Sequence, residues 1–190
     1  MTAAQCRPAP RGLSAGLFLD RDGTRVHDYG YMGDPSLLTL LPGAREAIDL
    51  LRAKFRLYLV TNQSGIARGY YTLDDARRCT ARLEELLGLE RGFDGVCIAP
   101  ELPGAPSRYR KPSPAYLLEA IRRDGLSAAD SFMVGDRVSD LECGLSANVT
   151  PILIPSPASG DAEAFARAHG IAVHTSLLEW ARQLIQGGTP

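Results

Sequence analysis

The chain has 190 residues, of which 45% are hydrophobic and 23% are charged, and its formal net charge is -1. This length and composition predict one globular domain over residues 1–190, with residues 1–14 as a loose arm. A charge so close to zero excludes a general attraction to nucleic acid or to an anionic membrane. No apolar run approaches the ~20 residues that span a bilayer, and no signal-peptide core is visible, so we expect a cytoplasmic protein.

The four cysteines are scattered along the chain and include no Cys-x-x-Cys pair. Cys6, Cys79, Cys97 and Cys143 therefore do not indicate a disulfide framework. Small thiols in a reducing compartment are the simpler interpretation.

Short apolar runs and helical apolar patterns alternate along the chain, which predicts a series of strands and helices. The predicted strands cover residues 16–20, 55–60, 95–99, 131–135, 150–154 and 171–174. The predicted helices cover residues 42–54, 72–87, 113–123, 138–147, 161–169 and 176–186. This alternation indicates an α/β protein whose parallel sheet is flanked by helices and joined by right-handed crossovers.

Two predicted connections are longer and more irregular than simple turns. Residues 22–42 form one of them, and a connection of that length is usually functional, such as a lid beside a site. Residues 100–112 form the other, which contains four prolines together with Arg108, Arg110 and Lys111. Neither connection is long enough to fold as a second domain.

Polar side chains follow four of the predicted strands, at the points where the strands end. They are Asp20 with Asp22, Thr61 with Asn62, Arg110 with Lys111, and Asp136. Any one of these clusters alone would be an ordinary turn or cap. Because the carboxyl ends of parallel strands meet at one edge of a sheet, the four together predict a single site.

The chemistry that suits these residues is phosphoryl transfer. Asp20 is the expected carboxylate nucleophile, and Asp22 is placed to protonate the leaving oxygen and then deprotonate water. Lys111 and Thr61 would stabilise the charge of the transferring group. Mg²⁺ prefers oxygen ligands, which Asp20, the main chain at Asp22, and Asp136 can supply.

The order of these motifs resembles that of the haloacid dehalogenase-like phosphatases. Several stretches narrow the resemblance to the D,D-heptose 1,7-bisphosphate phosphatase branch, which also contains histidinol-phosphate phosphatases. These stretches are FLDRDGT at 18–24, DYGY at 28–31, TNQSGIARG at 61–69, RKP at 110–112 and VGD at 134–136. The resemblance covers roughly residues 16–155 and implies a Rossmann-like fold without a large cap domain.

The resemblance also implies roles for individual residues. Asp20 is the nucleophile, Asp22 the acid/base, and Thr61 and Lys111 are transition-state stabilisers, while Mg²⁺ is held by Asp20, Asp22 and Asp136. The implied substrate-binding residues are Asp28, Tyr31, Asn62, Gln63, Ser64, Arg110 and Arg137. Arg137 stands where the family usually has lysine, which keeps the charge but changes its geometry.

One departure from the family pattern concerns a metal. The family commonly holds a structural zinc ion in the third loop, through a Cys-x-His and a later Cys-x-Cys. Here the corresponding residues are Ala99, Glu101, Ser107 and Tyr109, and one carboxylate cannot replace a four-coordinate site. We therefore expect no zinc.

Several functions fit parts of the pattern. The leading hypothesis is a phosphatase for a small phosphorylated metabolite, in particular the heptose bisphosphate, acting as a monomer or weak homo-oligomer. A histidinol-phosphate phosphatase is the alternative enzyme, and a nucleic-acid 3′-phosphatase is disfavoured because no basic stripe accompanies the site. A phospho-accepting signalling domain or a dehalogenase would not need Asp22. A silent binding module is the remaining alternative, but no core motif residue is missing.

Overall fold

The computed structural model describes residues 13–23, 26 and 30–187, so most of the predicted arm lies outside the described residues. The strands are β1 (Ala15–Leu19), β2 (Arg56–Asn62), β3 (Gly95–Ala99), β4 (Ser127–Gly135), β5 (Thr150–Leu153) and β6 (Ala172–Val173). The helices are α1 (Ala44–Leu51), α2 (Leu73–Leu87), α3 (Ala115–Asp124), α4 (Val138–Ser146), α5 (Ala162–His169) and α6 (Leu177–Ile185). No helix of the described chain is long and apolar enough to cross a membrane.

The six strands form one parallel sheet in the order β3-β2-β1-β4-β5-β6. The order reverses beside β1, which places the first strand in the middle of the sheet and puts helices on both faces. This arrangement confirms the predicted α/β class and the Rossmann-like fold.

The two faces of β1 are buried in different halves of the core. Leu17 and Leu19 pack in the cluster that contains residues of α1, α2 and α6, including Trp180. Phe18 points to the opposite cluster, where its ring stacks on Tyr58 at 4.8 Å between centroids. A strand that is covered on both faces needs an unbroken apolar run, which is why residues 16–19 lack alternation.

Helix α2 shows how local sequence signals set the ends of an element. The Thr72 side chain accepts a hydrogen bond from the Asp75 backbone N–H at 3.2 Å, and Asp75 accepts one from the Thr72 N–H at 2.7 Å. This capping box begins the helix, and Gly88 ends it in a left-handed conformation with φ of 69°. The predicted start at Thr72 is therefore confirmed.

Strand β4 begins four residues earlier than predicted, at Ser127 instead of Ser131. Its first part carries small and polar residues, so it offered no apolar pattern, and the pairing with β1 shifts register there. The Ser131 hydroxyl bridges this shift, because it accepts a hydrogen bond from the Gly16 N–H and donates one to the Ser127 carbonyl. A short 3₁₀ turn at Pro35–Leu37 was also not predicted.

A buried ion network closes the end of the sheet opposite to the strand carboxyl ends. Tyr58 donates a hydrogen bond to Asp124 at 2.7 Å, and Arg56 lies 3.4 Å from the same carboxylate. Arg123 pairs with it as well. Burial opposes ionisation, but hydrogen bonds from Arg123 and Tyr58 hold the pKa of Asp124 below its ordinary value. The network joins the end of α3 to the start of β2.

We expect Asp124→Asn to lower the free energy of unfolding by about 1–2 kcal/mol at pH 7, because a charge-assisted hydrogen-bond network is lost. The stabilisation is present above the unfolded pKa of about 4 and is lost as the pH falls through the lowered folded pKa. Urea unfolding at several pH values measures both effects. Asp130→Asn, which neutralises an exposed carboxylate of β4, is the control. Equal stability of the two variants at pH 7 would contradict the network's role.

Candidate active site

The structure brings the predicted catalytic residues to one edge of the sheet. Asp20 directly follows β1, and its backbone N–H donates to the Val134 carbonyl of β4 at 2.9 Å. Thr61 lies near the end of β2, Lys111 lies in the loop after β3, and Asp136 directly follows β4. Each side chain is less than a tenth exposed. Each of the four clusters identified from the sequence therefore contributes one buried residue to this edge of the sheet.

Lys111 is the central cation of this site. Its ammonium nitrogen lies 2.7 Å from Asp20 Oδ1, 2.6 Å from Asp140 Oδ1 and 2.8 Å from the Val60 carbonyl oxygen. Burial disfavours the ammonium, but Asp140 and Asp20 together raise the pKa of Lys111 above its ordinary value. Lys111 is therefore a fixed positive charge beside Asp20, the predicted nucleophile.

Asn62 holds the main chain of Lys111 in place. Its side-chain nitrogen donates to the Lys111 carbonyl at 3.1 Å, and its side-chain oxygen accepts from the Lys111 N–H at 3.0 Å. These two hydrogen bonds connect the end of β2 to the loop after β3. In this structure the Asn62 amide serves the loop, whereas the resemblance implied a contact with substrate.

Three carboxylates converge next to Lys111. One oxygen each of Asp20, Asp136 and Asp140 lies within 4.8 Å of the others. Asp136 is 1% exposed and its Oδ1 has no hydrogen-bond partner, while its Oδ2 accepts a hydrogen bond from Ser156. Burial, together with repulsion from Asp20 and Asp140, raises the pKa of Asp136 to about 7. Buried carboxylates this close call for a compensating cation.

The surroundings of this carboxylate group fit a small divalent cation. All of the ligand atoms that this cluster offers are carboxylate oxygens, which suit a hard ion such as Mg²⁺. Asp136 Oδ1 has no hydrogen-bond partner, so it can accept a metal ion without losing a contact. Gly23, with φ of +73°, passes so close to Asp136 that a Cβ atom would overlap its carboxylate. Asp20, Asp136 and Asp140 are thus the side chains that could hold the ion. The predicted contribution of Asp22 is that of its main chain.

Asp140 joins the site, although no role was predicted for it from the sequence. It is the third residue of α4, and its Oδ2 accepts a hydrogen bond from the Arg137 N–H at 3.0 Å while Oδ1 pairs with Lys111. The helix-capping position, four residues after Asp136, was the available sequence signal. The long-range pairing with Lys111 had none.

The side chain of Asp22 lies outside the cluster formed by Asp20, Asp136 and Asp140. Its oxygens accept hydrogen bonds from Arg21 Nε at 3.0 Å and from Gln63 Nε2 at 2.9 Å. Burial raises the pKa of Asp22 even though Arg21 opposes this effect. A raised pKa lets a carboxyl group hold a proton more readily, as a general acid must before it donates one.

The implied substrate-binding residues are placed unequally. Tyr31 is half exposed, and its ring contacts Tyr70 at 4.7 Å while the Arg68 guanidinium lies over it at 5.7 Å. The Arg137 side chain is also about half exposed, with Nε 3.5 Å from Asp136 Oδ2. Asp28 lies outside the described residues.

Arg110 and Gln63 are more enclosed than these residues. Arg110 is partly buried and donates from Nη1 to the Glu101 carbonyl at 2.8 Å. Gln63 is only 3% exposed, whereas its neighbour Ser64 is partly exposed. Contacts of Gln63 with Arg21 and Tyr71 were not anticipated from the sequence, because they join residues 42 and 8 positions apart.

We expect Lys111→Met to lower the free energy of unfolding of the metal-free protein by about 3–5 kcal/mol, because it leaves buried carboxylates without their cation. Urea unfolding in the presence of a chelator measures the change. Lys54→Met is a matched control, since Lys54 is exposed and is the only other lysine of the chain. The added substitution Asp140→Asn should recover part of the loss, and strict additivity of the two changes would contradict the ion pair.

Comparison with known proteins identifies the family. Residues 14–148 match the haloacid dehalogenase-like hydrolase family. A D-glycero-beta-D-manno-heptose-1,7-bisphosphate 7-phosphatase of Helicobacter pylori is 39% identical over 146 residues, covering 74% of this chain and 84% of the relative. The enzyme of the same name from Haemophilus influenzae is 34% identical over 165 residues, covering 81% of this chain and 90% of the relative.

Solved structures agree with this result. The D,D-heptose 1,7-bisphosphate phosphatase of B. bronchiseptica, complexed with magnesium and phosphate, has a TM-score of 0.79 at 29% identity and covers 91% of this chain and 99% of its own. A putative HAD-like phosphatase of Mesorhizobium loti has a TM-score of 0.69 at 35% identity, with 78% and 75% covered. Fold, strand-end site and relatives thus point the same way, and the chain belongs to the haloacid dehalogenase-like hydrolases as a phosphatase.

Proposed function

We propose that the chain is a Mg²⁺-dependent phosphatase of a sugar bisphosphate, in particular D-glycero-D-manno-heptose 1,7-bisphosphate. The observation that carries the proposal is the division of the site. Asp20 pairs with Lys111 and belongs to the carboxylate cluster with Asp136 and Asp140. Asp22 lies outside this cluster and accepts hydrogen bonds from Arg21 and Gln63. The names of the relatives supply the substrate.

The residues of the chain divide the reaction into two half-steps. Asp20 attacks the phosphorus atom, the bond to the sugar oxygen breaks, and Asp22 gives its proton to that oxygen. Asp22 then takes a proton from water as the water oxygen attacks the aspartyl-phosphate, which releases phosphate and restores Asp20. Lys111 and Thr61 stabilise the equatorial oxygens in both half-steps. Mg²⁺, when bound, offsets the repulsion between Asp20 and the anionic substrate.

A second anionic group of the substrate is favoured by the arginines around the site. Burial lowers the pKa of Arg110. The negative charge of Glu101 opposes this effect, and the positive charge of Arg68 adds to it. An anion that binds between two such guanidinium groups relieves their repulsion and can form bidentate hydrogen bonds. The same charges disfavour histidinol phosphate, which carries an ammonium group and a single phosphate.

The substrate is tested with purified protein, Mg²⁺ and a panel of phosphorylated metabolites that includes the heptose bisphosphate, other sugar bisphosphates, sugar monophosphates and histidinol phosphate. We expect the highest kcat/KM with the heptose bisphosphate and loss of activity on chelation. Asp20→Asn should reduce kcat by at least about 10³-fold, because the nucleophile is removed, while Asp130→Asn leaves it unchanged. Unchanged activity of Asp20→Asn contradicts the mechanism, and a preference for monophosphates contradicts the substrate.

The loop after β3 is supported by hydrogen bonds where the family commonly has zinc. Arg110 donates to the Glu101 carbonyl at 2.8 Å from its guanidinium, and its N–H donates to the Ser107 hydroxyl at 3.1 Å. Tyr109 donates to Glu119 of α3 at 3.0 Å, and Arg108 forms an ion pair with the same carboxylate. These contacts use three of the four residues that align with zinc ligands.

We therefore propose that the protein binds no structural zinc, and expect elemental analysis of the purified protein to find zinc far below one equivalent. Tyr109→Phe should loosen the loop, which is measured as an increase in proteolytic cleavage within residues 100–112. Tyr70→Phe is the control for loss of a tyrosine hydroxyl. One tightly bound zinc per chain would overturn this interpretation of the loop.

A further inference from the structure

Gln63 is the centre of a buried hydrogen-bond network beside the acid/base. Its side-chain nitrogen donates to Asp22 Oδ2 at 2.9 Å and to Thr61 Oγ1 at 2.8 Å. Its side-chain oxygen accepts from Arg21 Nη2 at 3.0 Å and from the Tyr71 hydroxyl at 2.5 Å. An amide has two N–H donors and two lone pairs, so all four positions are filled.

The side chain of Gln63 has no hydrogen-bonding capacity left for a substrate. Its backbone N–H donates to the Ala99 carbonyl at 2.7 Å, its backbone carbonyl accepts from the Ile66 N–H at 3.1 Å, and the residue is 3% exposed. The substrate contact that the resemblance implied for this residue would require the network to break. The side chain instead links two residues that the reaction uses.

The direction of the Gln63 amide is set by its neighbours. The Arg21 guanidinium can only donate, and the Tyr71 hydroxyl donates to the same oxygen, so the amide oxygen must face these two groups. Arg21 is fully buried, and the Tyr71 ring is enclosed by Gly33 and Gly65, where any Cβ atom would overlap it. Neither donor can easily move away.

We propose that Gln63 is a positioning residue for Asp22 and Thr61, and that Arg21 and Tyr71 lock its amide in the working direction. The proposal rests on the proposed function, because it assigns the network to the proton transfer of that reaction. Gln63 and Arg21 hold the Asp22 carboxyl from two sides, so that it meets the leaving oxygen in a single orientation.

The same network determines which way the Thr61 hydroxyl points. Because Thr61 Oγ1 accepts a hydrogen bond from Gln63, its own proton is free to be donated to a phosphoryl oxygen. A reversed amide would present its oxygen to the Asp22 carboxylate and take the Thr61 proton for itself. The fixed direction of the Gln63 amide therefore keeps Asp22 and the Thr61 hydroxyl in the orientations that the reaction uses.

A substrate pair with different leaving groups separates positioning of the acid from general support of the fold. A sugar alkoxide needs a proton to leave, whereas the 4-nitrophenolate of 4-nitrophenyl phosphate leaves without one. Because Asp22 also activates water in the second half-step on both substrates, kcat is compared in single-turnover measurements, which observe departure of the leaving group. For Gln63→Met, which keeps the length of the side chain, we expect kcat to fall about 100-fold on the sugar bisphosphate and about 10-fold or less on the aryl phosphate. KM should stay within about threefold of the wild-type value.

A milder pair of variants tests the lock itself. Tyr71→Phe keeps the ring between the two glycines and removes one donor to Gln63, so we expect a kcat loss of about 5-fold on the sugar bisphosphate and about 2-fold or less on the aryl phosphate. Tyr70→Phe removes the hydroxyl of the exposed neighbouring tyrosine and should change neither value. If circular dichroism shows that Gln63→Met is unfolded, Tyr71→Phe decides alone.

The outcomes distinguish this proposal from the proposed function. Equal losses on both substrates, or a raised KM with unchanged kcat, contradict a positioning role for Gln63 while the wild type remains active. If the wild-type protein does not hydrolyse the sugar bisphosphate, or if Asp20→Asn keeps its activity, the proposed function itself fails. If Tyr70→Phe shows the same larger kcat loss on the sugar bisphosphate than on the aryl phosphate as Tyr71→Phe does, the locking role of Tyr71 is also overturned.

Discussion

The site depends on one buried cation, Lys111, placed between the carboxylates of Asp20 and Asp140. Together with Asp22 and Asp136, four carboxyl groups crowd the edge of the sheet, and Lys111 and Arg21 are the cations buried with them. Charges in a low-dielectric interior are tolerated only when they are paired. Four carboxylates against two cations leave two negative charges when all are ionised, which matches the charge of one divalent ion. This excess of negative charge supports the proposal that a divalent cation binds here.

Lys111 reaches this position because of the sheet, although it lies in an irregular loop. Its main chain is fixed by the Asn62 amide at the end of β2, and its ammonium group is fixed by the Val60 carbonyl of the same strand. Contacts with β2 therefore fix the position of Lys111 within the loop. This dependence explains how Lys111 lies beside Asp20 although the loop lacks the zinc ligands that the resemblance implies for the family.

The sequence was sufficient to predict the parallel sheet and the convergence of Asp20, Thr61, Lys111 and Asp136, because short apolar runs and strand ends are local signals. It was insufficient for interactions between distant residues. The pairing of Lys111 with Asp140 and the enclosure of Gln63 depend on side-chain packing, which no periodicity records. The early start of β4 was missed for a related reason, because its first residues are small and polar and take part through hydrogen bonds.

The residues proposed to react and the exposed residues proposed to recognise the substrate lie in different physical environments. The residues proposed to react are buried and are placed by strand ends, so a change in any of them disturbs a dense set of charges. Tyr31, Arg68 and Arg137 lie on exposed or half-exposed segments, where substitution removes few buried contacts. Because the cost in stability is small at such positions, the substrate range of this fold can change while the buried carboxylates and their cations stay as they are.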